Sequence, residues 1–366
     1  MLSSPFGELD ESADPSWLDY FAVQLGSIIG HFDLRDQRDQ ILRAFALICK
    51  ESLGTQANSP PPNFSRINFD GIPLQYSLAL GAFEPALQFI GEAGGADSSN
   101  SARLELSKER ISSLLELLRI DGPSFRLSEL LDEMAPAGDP DLLSDHAGSL
   151  WLSPSFSARQ AAKLTVYINA KWGPDKKRID RLDRFASYLG ADLHWEKFET
   201  LANSEAGPLG AAVTLSGDSR PTGRIYLSTY GRPVDYFVSL ARAMTKSSFA
   251  KLFESFATII LGEDCQYPTR SGVCSVGLGT DGEPALKFEL CGHCAFENDV
   301  QAKSRCLEWL TLMKVDPTPY LRLLATLSEN HLSPASSVLH AYVGVGLKRN
   351  QPYTTIYLKP NPIHRG

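Results

Sequence analysis

Hydrophobic positions along the chain follow two rhythms in turn. Five stretches carry apolar residues at every second position on both sides of a turn rich in Gly, Pro or Asp, which is the pattern of a β-hairpin. They are Phe64–Ala93, Gly148–Trp172, Leu209–Tyr230, Gly272–Cys294 and Ser336–Lys359. The fourth is the plainest, with VCSVGLG and ALKFELC around TDGEP; in the third, GAAVTLS and GRIYLST flank GDSRPT, and in the fifth, LHAYVGVGL and YTTIYLK flank KRNQP. Between the hairpins the period changes to that of an amphipathic helix, within Ser107–Met134, Lys176–Leu201, Val234–Leu261 and Val300–Leu327. An N-terminal helical region covers about residues 15–55, centred on Trp17–Ser52.

This order restricts the topology. Ten hairpin strands leave two exposed edges unless the sheet closes on itself, and closure into a barrel removes both. The expected fold is therefore α+β: a closed ten-strand antiparallel β-barrel of five hairpins surrounded by α-helices, in one domain spanning 1–366. A ten-strand barrel is wide enough to hold a ligand. An open α+β sheet satisfies the same pattern.

Strand alternation then divides the side chains between two faces. Leu164, Val166, Ile225, Leu227, Phe288, Leu290 and Ile356 suit packing under helices. The opposite faces carry Lys163, Thr165 and Tyr167; Arg224 and Tyr226; Lys287 and Glu289; Thr355, Tyr357 and Lys359. One Lys-x-Tyr pair is usually a solvated face. Several converging on one lumen make a site where ammonium, guanidinium and phenol groups bind a diphosphate and aromatic faces shelter a cation.

Composition narrows the function classes. With 366 residues, 43% hydrophobic and a net charge of −8, the chain has material for a large core and no basic surface for nucleic acid. It shows no secretory signal and no apolar run near the length of a membrane span, so a cytoplasmic location is expected. Cys291-Gly-His-Cys294 is a CxxC, but Cys265 and Cys274 do not supply a second pair at metal-binding spacing, so buried thiols are expected and no metal. Gly277–Gly282 fits GxGxxG, yet a strand follows where a dinucleotide site needs a helix, so it is expected as a hairpin turn. Asp33, Asp36 and Asp39 alternate with arginines in a helical stretch and are expected on a solvated face; no DDxxD occurs.

The segments INFDGIPLQYSLALG and AYVGVGLKRNQPYTTIYLKP, with TVYINAKWG and GRIYLST between them, resemble the first, last and middle hairpin strands of the DMATS-type aromatic (indole) prenyltransferases, the ABBA barrel family. The likeness runs from about Trp17 to Pro360. It implies metal-independent transfer of a dimethylallyl or geranyl group from a soluble prenyl diphosphate to the indole ring of a tryptophan-derived alkaloid. The diphosphate leaves, the ring attacks the allylic cation, and a proton is lost. No cofactor is implied, magnesium is dispensable, and the partners are the two small molecules, with the protein a monomer or homodimer. A phenol or tyrosine prenyltransferase, or a non-catalytic carrier of a hydrophobic ligand, could use the same barrel.

By position, the resemblance implies a diphosphate cradle of Gln88, Lys163, Thr165, Arg224, Lys287 and Lys348, and a cation shield of Tyr167, Tyr226, Tyr342 and Tyr357. Gln88 stands where the family has arginine, Thr165 where it has lysine, and Glu289 where it has an aromatic residue; Arg66 or Lys163 could restore the missing charge. Gln75 replaces the glutamate that accepts the indole N–H. An amide oxygen still accepts that bond but is no proton acceptor near neutral pH. Gln75 and Glu289 are accordingly the catalytic candidates, Gln75 to orient the ring, with Glu289 or water to take its proton.

Overall fold

The computed structural model describes residues 15–57, 59–81, 84–121, 126–136, 138–144, 148, 150–191, 207–217, 219–228, 232–244, 247–262, 272–278, 285–328, 332, 339–348 and 351–360. Ten strands form five hairpins: β1 Leu74–Gly81 with β2 Ala86–Gly91, β3 Leu150–Phe156 with β4 Lys163–Asn169, β5 Pro208–Ser216 with β6 Ser219–Ser228, β7 Gly272–Leu278 with β8 Ala285–Cys291, and β9 His340–Lys348 with β10 Gln351–Leu358. Every neighbouring pair is antiparallel, and β1 pairs with β10, from Tyr76 opposite Leu358 to Gly81 opposite Tyr353. That last pairing closes the barrel and excludes the open sheet.

Helices fill the intervals. They are α1 Trp17–His31, α2 Arg38–Leu53, α3 Asn100–Leu117, α4 Leu127–Met134, α5 Pro140–Ser144, α6 Asp175–Tyr188, α7 Val234–Met244, α8 Ser247–Leu261, the short α9 Gly292–Ala295, α10 Asp299–Leu312 and α11 Thr318–Ser328. Ser16 starts α1 with a capping box, its side chain accepting from the Asp19 N–H while the Asp19 carboxylate accepts from the Ser16 N–H. The expected N-terminal helical region is two helices, because Asp33 adopts φ 56° and a 3₁₀ turn at Arg35–Gln37 breaks the run. Asp33, Asp36 and Asp39 are exposed there.

The outer barrel face packs under the helices as its alternation requires. Phe288 of β8 lies 4.2 Å from Phe253 of α8 between ring centroids, and Phe89 of β2 lies 5.7 Å from Phe45 of α2. Leu164, Val166, Ile225, Leu227, Leu290 and Ile356 are in the same continuous core. The third hairpin departs from expectation. GDSRPT is not a six-residue turn: β5 reaches Ser216 and β6 restarts at Ser219, so Pro221 lies within a strand, where a register shift between Thr214 and Ser216 accommodates it. Residues 192–201 of the second helical block, Cys265, and the tip of the Gly277–Gly282 motif lie outside the described residues. Gly277 itself sits in β7 opposite Ala285 of β8, which is hairpin geometry. No helix among the described residues is long and apolar enough to cross a membrane.

A buried polar clip joins the last helices to the barrel. Asp299 at the start of α10 accepts from the Leu339 N–H at 3.1 Å and pairs with His340 Nδ1 at 3.2 Å, while His340 Nε2 meets the Tyr320 hydroxyl at 2.9 Å. Asp299→Ala leaves a buried N–H and an imidazole nitrogen without that carboxylate. The expected cost is about 3 kcal/mol in urea unfolding, with Asp299→Asn recovering part of it. A loss below about 0.5 kcal/mol, the range of ordinary surface changes, would show that the clip carries no stability.

Candidate active site

A cavity of about 730 Å³ occupies the end of the barrel where the odd-numbered strands begin and the even-numbered strands end. That volume lies in the range of small-molecule sites. Two pairs of tyrosines line it. Tyr167 and Tyr226, on β4 and β6, have ring centroids 5.9 Å apart; Tyr342 and Tyr357, on β9 and β10, are 6.1 Å apart and nearly perpendicular. Burial pushes the Tyr167 phenol up to about 12, with the Glu289 carboxylate adding to the effect. Burial likewise holds Tyr226 and Tyr357 well above the ordinary phenol value. These hydroxyls remain protonated, and the rings line the lumen, with the Lys287 ammonium 4.8 Å over that of Tyr357.

The cations lie at the next level down. Lys287 is buried and donates to Glu289 at 2.7 Å and to the Tyr357 hydroxyl at 2.8 Å. Arg224 is partly buried and, among the described residues, hydrogen-bonds only neutral groups: the Ser275 hydroxyl at 3.0 Å and the carbonyls of Ala285 at 3.2 Å and Ser275 at 3.5 Å. Burial works against its charge, but Tyr353, Tyr226, Glu289 and Tyr357 outweigh that and raise its pKa. Arg224 is thus an oriented guanidinium with no carboxylate bonded to it among the described residues. Glycine makes the room: a Cβ on Gly344 would stand 2.7 Å from the Glu289 side chain and 3.3 Å from that of Lys287.

Gln75 is set by its neighbour. Asn68 spends its amide N–H groups on the carbonyls of Ile72 and Leu74, both at 2.8 Å, so its Oδ1 is an acceptor and takes the Gln75 Nε2–H at 3.0 Å. The Gln75 amide is thereby oriented, and its Oε1, with no hydrogen-bond partner among the described residues, is left to the cavity that Gln75 lines. Glu289, Tyr167, Tyr226, Tyr342 and Tyr357 line the same cavity.

The remaining expected residues are distributed along the barrel axis. Gln88 and Thr165 face the lumen below the cavity. Gln88 accepts from Ser77 and donates to Ser153, and Thr165 shares a 2.9 Å hydrogen bond with Thr214. Lys163 stands at the hairpin end, where it reaches Gln160 at 3.4 Å, and Lys348 is exposed at the hairpin end of β9. Neither lines the cavity. Lys359 follows β10, pairs with Asp70 and sits 4.2 Å over the Phe69 ring.

Sequence reasoning missed several wall residues. Trp151 lines the cavity and donates its indole N–H to Glu92 at 3.1 Å, a buried carboxylate also bonded to Ser65 and paired with Arg103 at 3.2 Å. Burial raises the Glu92 pKa against the pull of these partners. Asn68, Lys171 and Arg178 line the cavity too, as does Arg66, the alternative source of charge. The only signal for Trp151 was its place on the inward face of β3.

No protein-family model matches the chain, and no curated protein matches it. Solved structures do. The fold is similar to that of 6-dimethylallyltryptophan synthase from Micromonospora olivasterospora, solved in complex with DMASPP and Trp, at 18% identity over 94% of this chain and 97% of that one, with a TM-score of 0.81. It is similar to 5-dimethylallyltryptophan synthase from Streptomyces coelicolor at 18% identity, 97% and 100% coverage and a TM-score of 0.82. AnaPT from Neosartorya fischeri follows at 14% identity, 94% and 93% coverage and a TM-score of 0.71. These neighbours are DMATS-type prenyltransferases, and at such identities the likeness establishes the shared barrel fold.

Proposed function

We propose that the protein is an aromatic prenyltransferase. It moves a dimethylallyl group from dimethylallyl diphosphate to the indole ring of a tryptophan-derived acceptor, by electrophilic aromatic substitution. The observation that carries this reading is a closed barrel whose inward strand faces hold Arg224 and Lys287 two residues along from the cavity-lining Tyr226 and Glu289, with Lys287 bonded to the Tyr357 hydroxyl. A guanidinium held only by neutral oxygens is suited to an incoming anion, and charge-assisted bonds to a departing diphosphate strengthen as its negative charge develops.

The steps follow from position. Arg224 and Lys287 bind the diphosphate oxygens, with Gln88 and Thr165 as neutral donors at the same depth. The C–O bond ionises and the electron pair leaves with the diphosphate. The allylic cation lies between the Tyr167–Tyr226 and Tyr342–Tyr357 pairs, whose π faces stabilise it and whose rings exclude water. The Gln75 Oε1 accepts the indole N–H and fixes which ring carbon meets the cation. Glu289, on the cavity wall, takes the proton that restores aromaticity. Lys163 and Lys348 have no part in this arrangement. The enzyme works as a single domain in the cytoplasm on diffusible substrates, with no magnesium at the diphosphate.

The test is direct. Purified, metal-stripped protein incubated with dimethylallyl diphosphate and a panel of indoles and phenols should give an indole product heavier by one prenyl unit. Adding millimolar magnesium should change the rate less than about twofold, because protein cations already neutralise the leaving group. No prenylated product with any indole would refute the activity. A rate that rises about tenfold with magnesium would place a metal at the diphosphate.

A further inference from the structure

The CxxC cysteines were expected to be buried thiols; among the described residues Cys49, Cys274, Cys291 and Cys306 are buried and Cys294 is partly exposed. Burial raises the pKa of Cys49, of Cys274 and of Cys306, the last to about 12. The Cys291–Cys294 segment differs. It leaves β8 at the barrel rim, and its donors converge: Cys291 Sγ, Cys294 Sγ and a His293 ring nitrogen all lie within 4.8 Å of one another. Cys291 Sγ is 2.8 Å from His293 Nδ1. His293 is exposed and Cys294 partly so, which gives an ion a path in from solvent.

From this convergence we propose that Cys291, His293 and Cys294 bind a zinc-class divalent cation, with water completing the tetrahedron. Two thiolates and an imidazole are the donor set such an ion prefers, and bond lengths of about 2.0–2.3 Å put three donors of one ion within about 4 Å of each other. The absent second CxxC pair counted against a metal in the sequence. The structure replaces that pair with His293, the residue inside the motif.

The local scaffold is already shaped for this. A Cβ on Gly292 would stand 2.0 Å from the His340 carbonyl, so only glycine lets the turn seat against the start of β9. The turn closes through Phe296 N–H to the Gly292 carbonyl at 2.9 Å. The Phe69 ring lies 4.3 Å from the His293 ring and packs on the third donor. The hydrogen bond between the two thiols raises Cys291 and lowers Cys294, and burial lowers His293. On binding, each thiol proton leaves to solvent as its sulfur–metal bond forms. Since Phe69 and Tyr342 both line the active-site cavity, the ion would tie the Phe69 segment to the rim beside β8 and β9. This site is separate from the diphosphate cradle and stands whether or not the proposed transfer occurs.

The test is a cobalt(II) titration of reduced, metal-stripped, full-length protein, followed by displacement with zinc(II). The expected result is the visible absorption of tetrahedral cobalt together with a thiolate charge-transfer band, saturating at one equivalent and abolished by zinc. Cys291→Ser and Cys294→Ser should lose the band, and His293→Ala should weaken binding at least tenfold. Phe69→Ala, which removes the ring packed between His293 and the Lys359 ammonium without touching a donor atom, should weaken it about tenfold. Cys306→Ala should titrate like the parent. A parent protein with no charge-transfer band overturns the proposal, as does a band that survives Cys294→Ser or a Cys291–Cys294 disulfide that persists in the presence of reductant and cobalt.

Discussion

Arg224→Ala should lower kcat/KM for the prenyl diphosphate by about a hundredfold to a thousandfold, the effect of removing one oriented donor from a developing anion. Among the described residues, Arg224 is the lumen guanidinium whose three hydrogen bonds all go to neutral groups, so the loss is not offset by freeing a carboxylate. Lys287→Ala differs in kind. It strips Glu289 and Tyr357 of their shared partner and leaves a carboxylate facing the cation site. Arg224→Lys should recover part of the activity, because a single ammonium replaces the charge but not the fork. Circular dichroism should show each variant folded. A loss below about fivefold in folded Arg224→Ala would separate the guanidinium from the chemistry.

Gln75→Ala should lower turnover of the aromatic acceptor about tenfold to a hundredfold, the equivalent of one hydrogen bond to a ring that gains positive charge. Gln75→Glu is the more instructive change. Its carboxylate would face Asn68 Oδ1, acceptor against acceptor, unless Asn68 flips and gives up its bonds to the Ile72 and Leu74 carbonyls. That conflict should cost about 1–3 kcal/mol of stability. Yet the rate per bound acceptor should not fall below that of the parent, since an anion accepts the indole N–H more strongly. A glutamine at this position is therefore matched to its neighbour. Equal, unchanged rates in Gln75→Ala and Gln75→Glu would remove it from the site.

The barrel was legible in the sequence because strand alternation is strict. Each hairpin repeats a period of two, and counting ten strands with two edges leads to closure. The same alternation correctly divided Tyr167, Tyr226 and Tyr357 from Leu164, Ile225 and Ile356. It reports a face and not a depth. Lys163 is on the same strand face as Tyr167 but four residues nearer the hairpin, and Lys348 lies six residues along β9 from Tyr342. Depth depends on how the strands stagger around the barrel, which only the pairing reveals. Asn68 was invisible for another reason. It lies in a segment before β1 with no period, and its role is to orient an amide seven residues away. The Trp151–Glu92–Arg103 contacts likewise join three elements whose proximity no local pattern encodes.

The most direct measurement is a crystal structure of the protein soaked with a non-hydrolysable thiolodiphosphate analogue of the prenyl donor. The account predicts diphosphate oxygens at about 3 Å from the Arg224 guanidinium and the Lys287 ammonium, with the prenyl tail between the two tyrosine pairs. Analogue bound instead at the rim against Arg66, Lys171 and Arg178, with Arg224 still bonded only to Ser275 and Ala285, would contradict it.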